Sequence, residues 1–139
     1  MENKTNINDV AELDFSVFKD SNGDLVPIEA KKHIPIEIKR VFQIIAPLDA
    51  VRGKHSHKKQ TQIMICSIGS VLIECDDGRN KKEFLLEKPN VGLLIPPNIW
   101  SKQLYKESNS ILTVLCNAFF DESEYVRDYK EFLKIKNKR

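Results

Sequence analysis

The sequence predicts an all-β domain, a barrel or a sandwich, because short apolar and β-branched segments follow one another at close turn spacing. The stretch QIMICSIGSVLIECDDGRNKKEFLL, residues 62–86, contains two such segments around Gly69 and a third after a DDGRN hairpin turn. Two more strands are expected in VGLLIPP (91–97) and SILTVLCNAFF (110–120). Five short strands within 59 consecutive residues (62–120) leave little room for helices in this region.

Strands are also predicted near the start of the chain. The SNGD sequence at 21–24 is typical of a turn, and the run from Ile34 to Ile45 is rich in alternating and β-branched residues. This N-terminal region can pair within its own chain or with a second subunit, and the sequence alone leaves both open.

Helical spacing is confined to the C-terminal end. Asp121, with Glu124 three residues later, resembles an N-terminal capping arrangement, and aromatic and apolar residues follow at helical spacing. Those residues are Tyr125, Tyr129, Phe132 and Leu133. A short helix packed against the β-domain is expected, and it should end in a solvated basic tail. The tail consists of Lys134, Lys136, Lys138 and Arg139.

Composition indicates one domain, residues 1–139, with 41% hydrophobic and 30% charged residues. The net charge of +2 lacks the field of a dedicated nucleic-acid-binding protein. Three widely spaced cysteines without a CxxC pair argue against a disulfide framework and a zinc knuckle. With no apolar leader segment and no 18-residue apolar run, we expect a cytoplasmic protein.

The chemistry is expected in the stretch RGKHSHKKQTQIMICSIG. His55 and His57 are two residues apart, so on a strand both imidazoles project from one face, which in a barrel can be the interior. With Gly53, Gln62 and Gly69, their spacing resembles the first cupin motif, in which glycine, HxH, a carboxylate and glycine follow one another. An imidazole has an ordinary pKa of about 6.5, which suits acid/base catalysis in either direction.

Two metal-ligand positions of the cupin motifs carry other residues here. Gln62 stands at the carboxylate position, and Ser101 stands where the second motif, GLLIPPNIWS, would have a third histidine. Catalytic zinc sites usually have three protein ligands, and non-haem iron sites two histidines and a carboxylate. We therefore expect no metal and no other cofactor.

Substrate binding is predicted for side chains near these motifs. Arg40 and Arg52 flank the FQII segment, and a guanidinium can bind a phosphate or diphosphate through two parallel hydrogen bonds. Trp100 could stack on a base or sugar ring, although core packing is commoner for a single tryptophan.

Taken together, the chain resembles the sugar 3,4-ketoisomerases, small cupins that act on dTDP-4-keto-6-deoxyglucose. The resemblance rests on the ordered segments KRVF, VRGKHSHKK, VGLLIPPNIW and DESEYVRDYKEFL. It implies a jelly-roll β-barrel, a homodimer with exchanged N-terminal strands and catalysis without a metal. It also implies that His57 removes the proton at C3, that His55 relays protons towards C4 and its oxygen, and that Arg40 and Arg52 line the pocket.

The resemblance further implies a product used to make 3-amino-3,6-dideoxy sugars for surface glycans such as lipopolysaccharide. Two positions depart from the family pattern. The family often has tyrosine at Gln43, which could still hydrogen-bond a sugar hydroxyl, and histidine at Ser101.

Two alternative functions remain open. A 3,5-epimerase would use the same substrate, but it requires a second acid, commonly tyrosine, and none is obvious among the barrel residues. A noncatalytic cupin that binds sugar nucleotides is the other alternative.

Overall fold

Strands form at nearly all the predicted alternating and apolar segments in a computed structural model that describes residues 5–137. In chain order the strands are β1 (Ala11–Asp14), β2 (Phe18–Asp20), β3 (Gly23–Leu25), β4 (Arg40–Ala46), β5 (Val51–His57), β6 (Gln62–Ile68), β7 (Val71–Asp76), β8 (Lys81–Leu86), β9 (Val91–Ile95), β10 (Trp100–Tyr105), β11 (Ser110–Cys116) and β12 (Tyr125–Val126). The helix α1 spans Tyr129–Asn137, and single 3-10 turns span Ile7–Asp9 and Glu122–Glu124.

Two five-stranded antiparallel sheets share one core. Their strand orders are β1-β9-β6-β11-β4 and β12-β5-β10-β7-β8, and β2 and β3 form a separate hairpin at the predicted SNGD turn. Apolar side chains from both sheets meet in a single buried cluster, which includes Met64 and Leu112 of the first sheet and Ile73 and Leu86 of the second. The described chain is a cupin-like β fold with one C-terminal helix, which confirms the predicted fold class.

Gly69 lies where the chain leaves the first sheet and enters the second. Its φ is +90°, a left-handed conformation that side chains rarely adopt, and an added Cβ would collide with the side chain of Ser110. β6 before it and β7 after it are consecutive in sequence, yet each pairs with other strands. Glycine is therefore required at the crossing between the sheets.

The apolar run of β6 is buried on both faces, because a second cluster covers the outside of the first sheet. In this cluster Ile63 and Ile65 of β6 pack against Phe15, Ile34 and Ile36. The prediction of a strand from Ile34 was wrong: only residues 40–46 form a strand, and the preceding segment lies across the sheet as an irregular cover. The isoleucines of this segment alternate because they are buried against the first sheet, and not because the segment pairs as a strand.

The C-terminal helix begins later than predicted. Asp121 does cap a turn, but its side chain accepts from the backbone N–H of Ser123 in a 3-10 turn that ends at Glu124. Tyr125 then enters β12, and α1 starts only at Tyr129. The prediction that Tyr125 belongs to the helix was wrong.

Lys136 contradicts the predicted solvated tail. It is only 1% exposed, and its ammonium donates a hydrogen bond to the carbonyl of Thr5. Lys138 and Arg139, also assigned to this tail, lie outside the described residues. None of the helical segments within residues 5–137 has the length and apolar character needed to cross a membrane.

Candidate active site

A cavity of about 470 Å³ opens at one end of the fold, among β4, β5, β6, β10 and β12. Half of the predicted site residues contribute to its wall. The lining residues are Phe42, Gln43, Ile44, Val51, Arg52, Gly53, His55, Gln62, Gln103, Tyr125 and Arg127. The wall combines imidazole, guanidinium, amide and phenol groups with a few apolar surfaces, a composition suited to a polar, anionic ligand.

A bulge in β5 brings Arg52 and His55 to the same cavity. Gly53 and Lys54 both have left-handed backbone conformations, with φ of 84° and 62°, and the pairing with β10 changes register between Ser101 and Lys102. Residues three apart on a regular strand face opposite sides, whereas the extra residue of a bulge returns them to one side. A Cβ at Gly53 would lie 3.1 Å from the Ser101 carbonyl oxygen, so glycine suits the close approach of β10.

The two imidazoles of the HxH motif meet beside Tyr125. Their ring centroids are 5.0 Å apart, and Tyr125 lies 5.0 Å from His55 and 4.4 Å from His57. Nδ1 of His57 lies 3.0 Å from Nε2 of Gln60, while its Nε2 is buried with no hydrogen-bond partner among the described residues. His55 forms part of the cavity wall, whereas His57 is more deeply buried beside it.

Both imidazoles are held neutral by their surroundings. Burial, and after it the nearby His55, Arg40 and Arg127 in that order, lower the pKa of His57 to about 3. Burial and then the charge of Arg127 lower the pKa of His55 to about 4. At neutral pH both rings are uncharged and able to accept a proton.

Arg40 and Tyr125 are joined by a hydrogen bond beside the imidazoles. Nη2 of Arg40 donates to the Tyr125 hydroxyl at 3.0 Å, and the guanidinium lies 4.8 Å from the ring centroid of Phe42 and 5.3 Å from that of Phe120. Arg40 does not itself line the cavity. Its contact with Tyr125 and its effect on the His57 pKa nevertheless place its charge next to the site.

Two other arginines are part of the cavity wall. Arg127 lies over the Tyr125 ring at 4.5 Å and makes a two-point ion pair with Glu122, with N···O distances of 2.8 and 3.0 Å. Arg52 is exposed at the mouth and has no carboxylate within ion-pair distance among residues 5–137. Arg52 therefore gives the cavity a positive charge that no carboxylate of the described residues offsets, whereas the charge of Arg127 is offset by Glu122.

The remaining predicted residues have different positions. Gln43 and Gln62 line the cavity, and Nε2 of Gln62 lies 3.5 Å from the sulfur of Cys116. Ser101 is buried and pairs in register with His55, although it is not part of the cavity wall.

Trp100 is not brought to the cavity. Its ring packs against Tyr129 and Phe132 of α1, with centroid distances of 5.2 and 5.7 Å. Neighbouring strand residues point to opposite faces, so Trp100 contacts the helix while Ser101 faces the interior. Core packing, the commoner role of a single tryptophan, is the one observed.

Sequence reasoning missed Tyr125 and Arg127. Both lie in the DESEYVRDYKEFL segment, but Tyr125 was assigned to a helix packed on the domain. In the structure Tyr125 pairs with His57 in the β12–β5 register. The expectation that the barrel residues offer no obvious second acid was therefore wrong, and the sequence argument against an epimerase loses that support.

The residues at the cupin ligand positions do not assemble a metal-binding cluster. In the part of the chain that the structure describes, no group of three or more His, Cys, Asp or Glu side chains is arranged to hold a metal ion. Gln62 supplies only a neutral amide where the cupin motif has a carboxylate.

Comparisons with known proteins identify the family. The family model FdtA, described as WxcM-like, C-terminal, matches residues 8–137. A curated protein of Aneurinibacillus thermoaerophilus, TDP-4-oxo-6-deoxy-alpha-D-glucose-3,4-oxoisomerase, is 38% identical over 135 residues, which cover 96% of this chain and 92% of that protein.

Solved structures agree with this assignment. A 3,4-ketoisomerase from Helicobacter canadensis is 41% identical, with a TM-score of 0.90 over 93% of this chain and 98% of that chain. QdtA, a sugar 3,4-ketoisomerase from Thermoanaerobacterium thermosaccharolyticum solved with TDP, is 38% identical, with a TM-score of 0.92 over 95% and 97% of the two chains. The chain described here therefore belongs to the WxcM-like family, together with these sugar 3,4-ketoisomerases.

Proposed function

We propose that this protein is a TDP-sugar 3,4-ketoisomerase that converts TDP-4-keto-6-deoxyglucose into its 3-keto isomer. The observation that carries the proposal is the pair of neutral imidazoles, His55 and His57, beside a cavity whose wall includes Arg52 and Arg127. The relatives' substrate combines an acidic C–H next to a ketone with a diphosphate. At the cavity, an imidazole can accept the proton of that C–H, and Arg52 and Arg127 can bind the diphosphate.

The reaction moves one ketone by one carbon without a net change in protons. A base removes the C3 proton, the C–H electrons form a C3=C4 double bond, and the C4 carbonyl electrons move onto its oxygen. The C3 hydroxyl then loses its proton, the C4 oxygen and the C4 carbon each take up one proton, and the ketone is left at C3. A general base typically contributes ~10²–10⁴-fold to such a step.

The cavity geometry favours His55 as the base at C3. The family resemblance assigned that role to His57 and the relay to His55, but His55 lies in the cavity wall and His57 is buried beside it. We therefore propose that His55 contacts the sugar and that His57 relays protons to and from His55. The two ring centroids are 5.0 Å apart. Bound diphosphate would add negative charge near both rings and favour the protonated form that the reaction creates.

Arg52 and Arg127 are the proposed diphosphate ligands. Both guanidinium groups line the cavity, and Arg52 has no competing carboxylate within ion-pair distance in the described chain. Binding energy at the diphosphate would hold the sugar over His55 while the reaction proceeds. Gln43 and Gln62 are proposed to hydrogen-bond the sugar hydroxyls.

We also propose that the active form is a homodimer. β4 is an edge strand of the first sheet and exposes large apolar side chains, Val41 at 55% and Ile45 at 67%. Within one chain β1 occupies the opposite edge and pairs with β9, and the same pairing could be made with a partner's strand if the N-terminal strands are exchanged.

A cytoplasmic location and a biosynthetic role complete the proposal. Cys66, Cys75 and Cys116 are free and buried, which is consistent with a reducing compartment. An amino group can replace the ketone oxygen at C3, so the product suits the formation of 3-amino-3,6-dideoxy sugars for surface glycans.

The deciding experiment follows TDP-4-keto-6-deoxyglucose by proton NMR in D2O, with and without EDTA. We expect deuterium at C3 of the remaining substrate and at C4 of the 3-keto product, conversion to that isomer, and the same rate after chelation. Deuterium at C5 would instead identify a 3,5-epimerase, and tight binding without exchange would identify a noncatalytic binding protein.

Two matched variants assign the histidine roles. His55→Asn is expected to abolish both C3 exchange and turnover, whereas His57→Asn is expected to slow turnover while retaining part of the exchange. The opposite result would restore the order implied by the family resemblance. Wild-type activity in both variants would refute histidine-mediated proton transfer.

A further inference from the structure

The hydroxyl of Tyr125 has a donor that no described residue uses. Nη2 of Arg40 donates to the phenol oxygen at 3.0 Å, so the oxygen accepts this bond and its own hydrogen is left for another acceptor. Within residues 5–137 this hydroxyl donates no hydrogen bond. A hydroxyl whose lone pair is occupied in this way is fixed as a hydrogen-bond donor.

The surroundings of Tyr125 hold this donor at the cavity. Tyr125 is part of the wall, its ring lies against both imidazoles, and Arg127 covers its face. Pairing of Tyr125 with His57 connects its backbone to the strand that carries the HxH motif. Base and donor are therefore positioned by adjacent backbone segments and need little reorganisation during a reaction.

Three other donors near the imidazoles already have partners. The amide nitrogen of Gln62 lies 3.5 Å from the Cys116 sulfur, and two nitrogens of Arg127 bind Glu122. Arg40 is directed at the phenol itself. Nε of Arg40 also has no partner among the described residues, but Arg40 does not line the cavity, whereas Tyr125 belongs to the wall and contacts both imidazoles.

We infer that Tyr125 is a catalytic residue that donates a hydrogen bond to the sugar oxygen on C4 as that oxygen becomes negative. The inference rests on the proposed isomerisation. When the base removes the C3 proton, the C4 carbonyl electrons move onto oxygen, and the Tyr125 hydroxyl stabilises this charge without giving up its proton. The nearby Arg40 strengthens the donor because its positive charge polarises the phenol.

The test compares Tyr125→Phe with the matched control Tyr129→Phe. Removing one oxyanion donor typically lowers kcat by ~10²–10³-fold. We expect such a loss for Tyr125→Phe, with KM and affinity for TDP within about threefold of wild type, since the donor acts mainly on the transition state. The Tyr129 hydroxyl bonds Asp76 at 2.7 Å outside the cavity, so Tyr129→Phe is expected to lower the melting temperature and retain kcat.

A second substitution separates catalysis from folding. Fluorotyrosine placed at position 125 retains the hydroxyl and is expected to retain most of the activity. A kcat for Tyr125→Phe within twofold of wild type, or a loss confined to KM, would overturn the inference. Loss of activity in the fluorotyrosine protein with unchanged TDP affinity would overturn it as well. If the wild-type protein shows no C3 exchange, the proposed function itself fails, and that result is obtained before any variant is made.

Discussion

Acidification from pH 8 to pH 5 should destabilise this protein strongly, because two buried neutral histidines must stay unprotonated in the folded state. The folded pKa is about 4 for His55 and about 3 for His57, mainly because of burial, against 6.5 in the unfolded chain. Below pH 6.5 the unfolded chain therefore binds more protons than the folded protein. The contribution to stability is complete above pH 6.5 and is lost as the pH falls towards the folded pKa values.

The magnitude follows from proton linkage. At pH 5 each of these histidines is almost fully protonated when unfolded and largely neutral when folded, which favours unfolding by about 2 kcal/mol per histidine. The two together amount to roughly 4 kcal/mol, against a typical total stability of about 5–15 kcal/mol. Ordinary carboxylates titrate near pH 4, so they contribute little in this range.

Urea unfolding at pH 8, 7, 6 and 5 measures the effect. His55→Asn should remove about half of the pH dependence, since asparagine does not titrate. The matched control is His33→Asn, which removes a histidine that lies outside the cavity. A wild-type loss below about 1 kcal/mol between pH 8 and pH 5, or an equal effect of His33→Asn, would refute the reasoning.

Three further predictions concern binding, packing and assembly. Arg52→Ala should raise KM by about tenfold with little change in kcat, because a hydrogen bond to a charged group is worth about 1.5 kcal/mol. The melting temperature should change little, since Arg52 is exposed. An unchanged KM would exclude Arg52 as a diphosphate ligand. Lys136→Ala should reduce the free energy of unfolding by about 2 kcal/mol, since Lys136 is buried and bonded to the Thr5 carbonyl, and a neutral effect in urea would contradict this. Light scattering should give twice the 16.0 kDa chain mass, and a fully active monomer would refute the dimer.

The involvement of a tyrosine also changes how the epimerase alternative is judged. The sequence argument against an epimerase relied on the lack of an available acid, and Tyr125 is available at the cavity. Both reactions remove the C3 proton, and what separates them is whether the C5 proton is also removed or the ketone moves to C3. Deuterium at C5, or its absence together with a ketone shift, therefore carries more weight than the list of side chains.

By itself, the sequence determined the fold class and the location of the chemistry. Turn spacing and apolar segments predict β6 to β9 and β11, because hydrogen-bonded strands buried on one or both faces require such patterns. The HxH spacing places both imidazoles together, since residues two apart on a strand share a face. Gln62 and Ser101 indicate from identity alone that two expected metal ligands are missing.

Only the tertiary structure decided which side chains share the cavity. Tyr125 is 68 residues from His57, and no local spacing reveals that β12 pairs with β5. Lys136 took a position that residue type alone does not predict, in a buried hydrogen bond. Contacts of this kind depend on the packing of distant segments, whereas local patterns report only how each segment is buried.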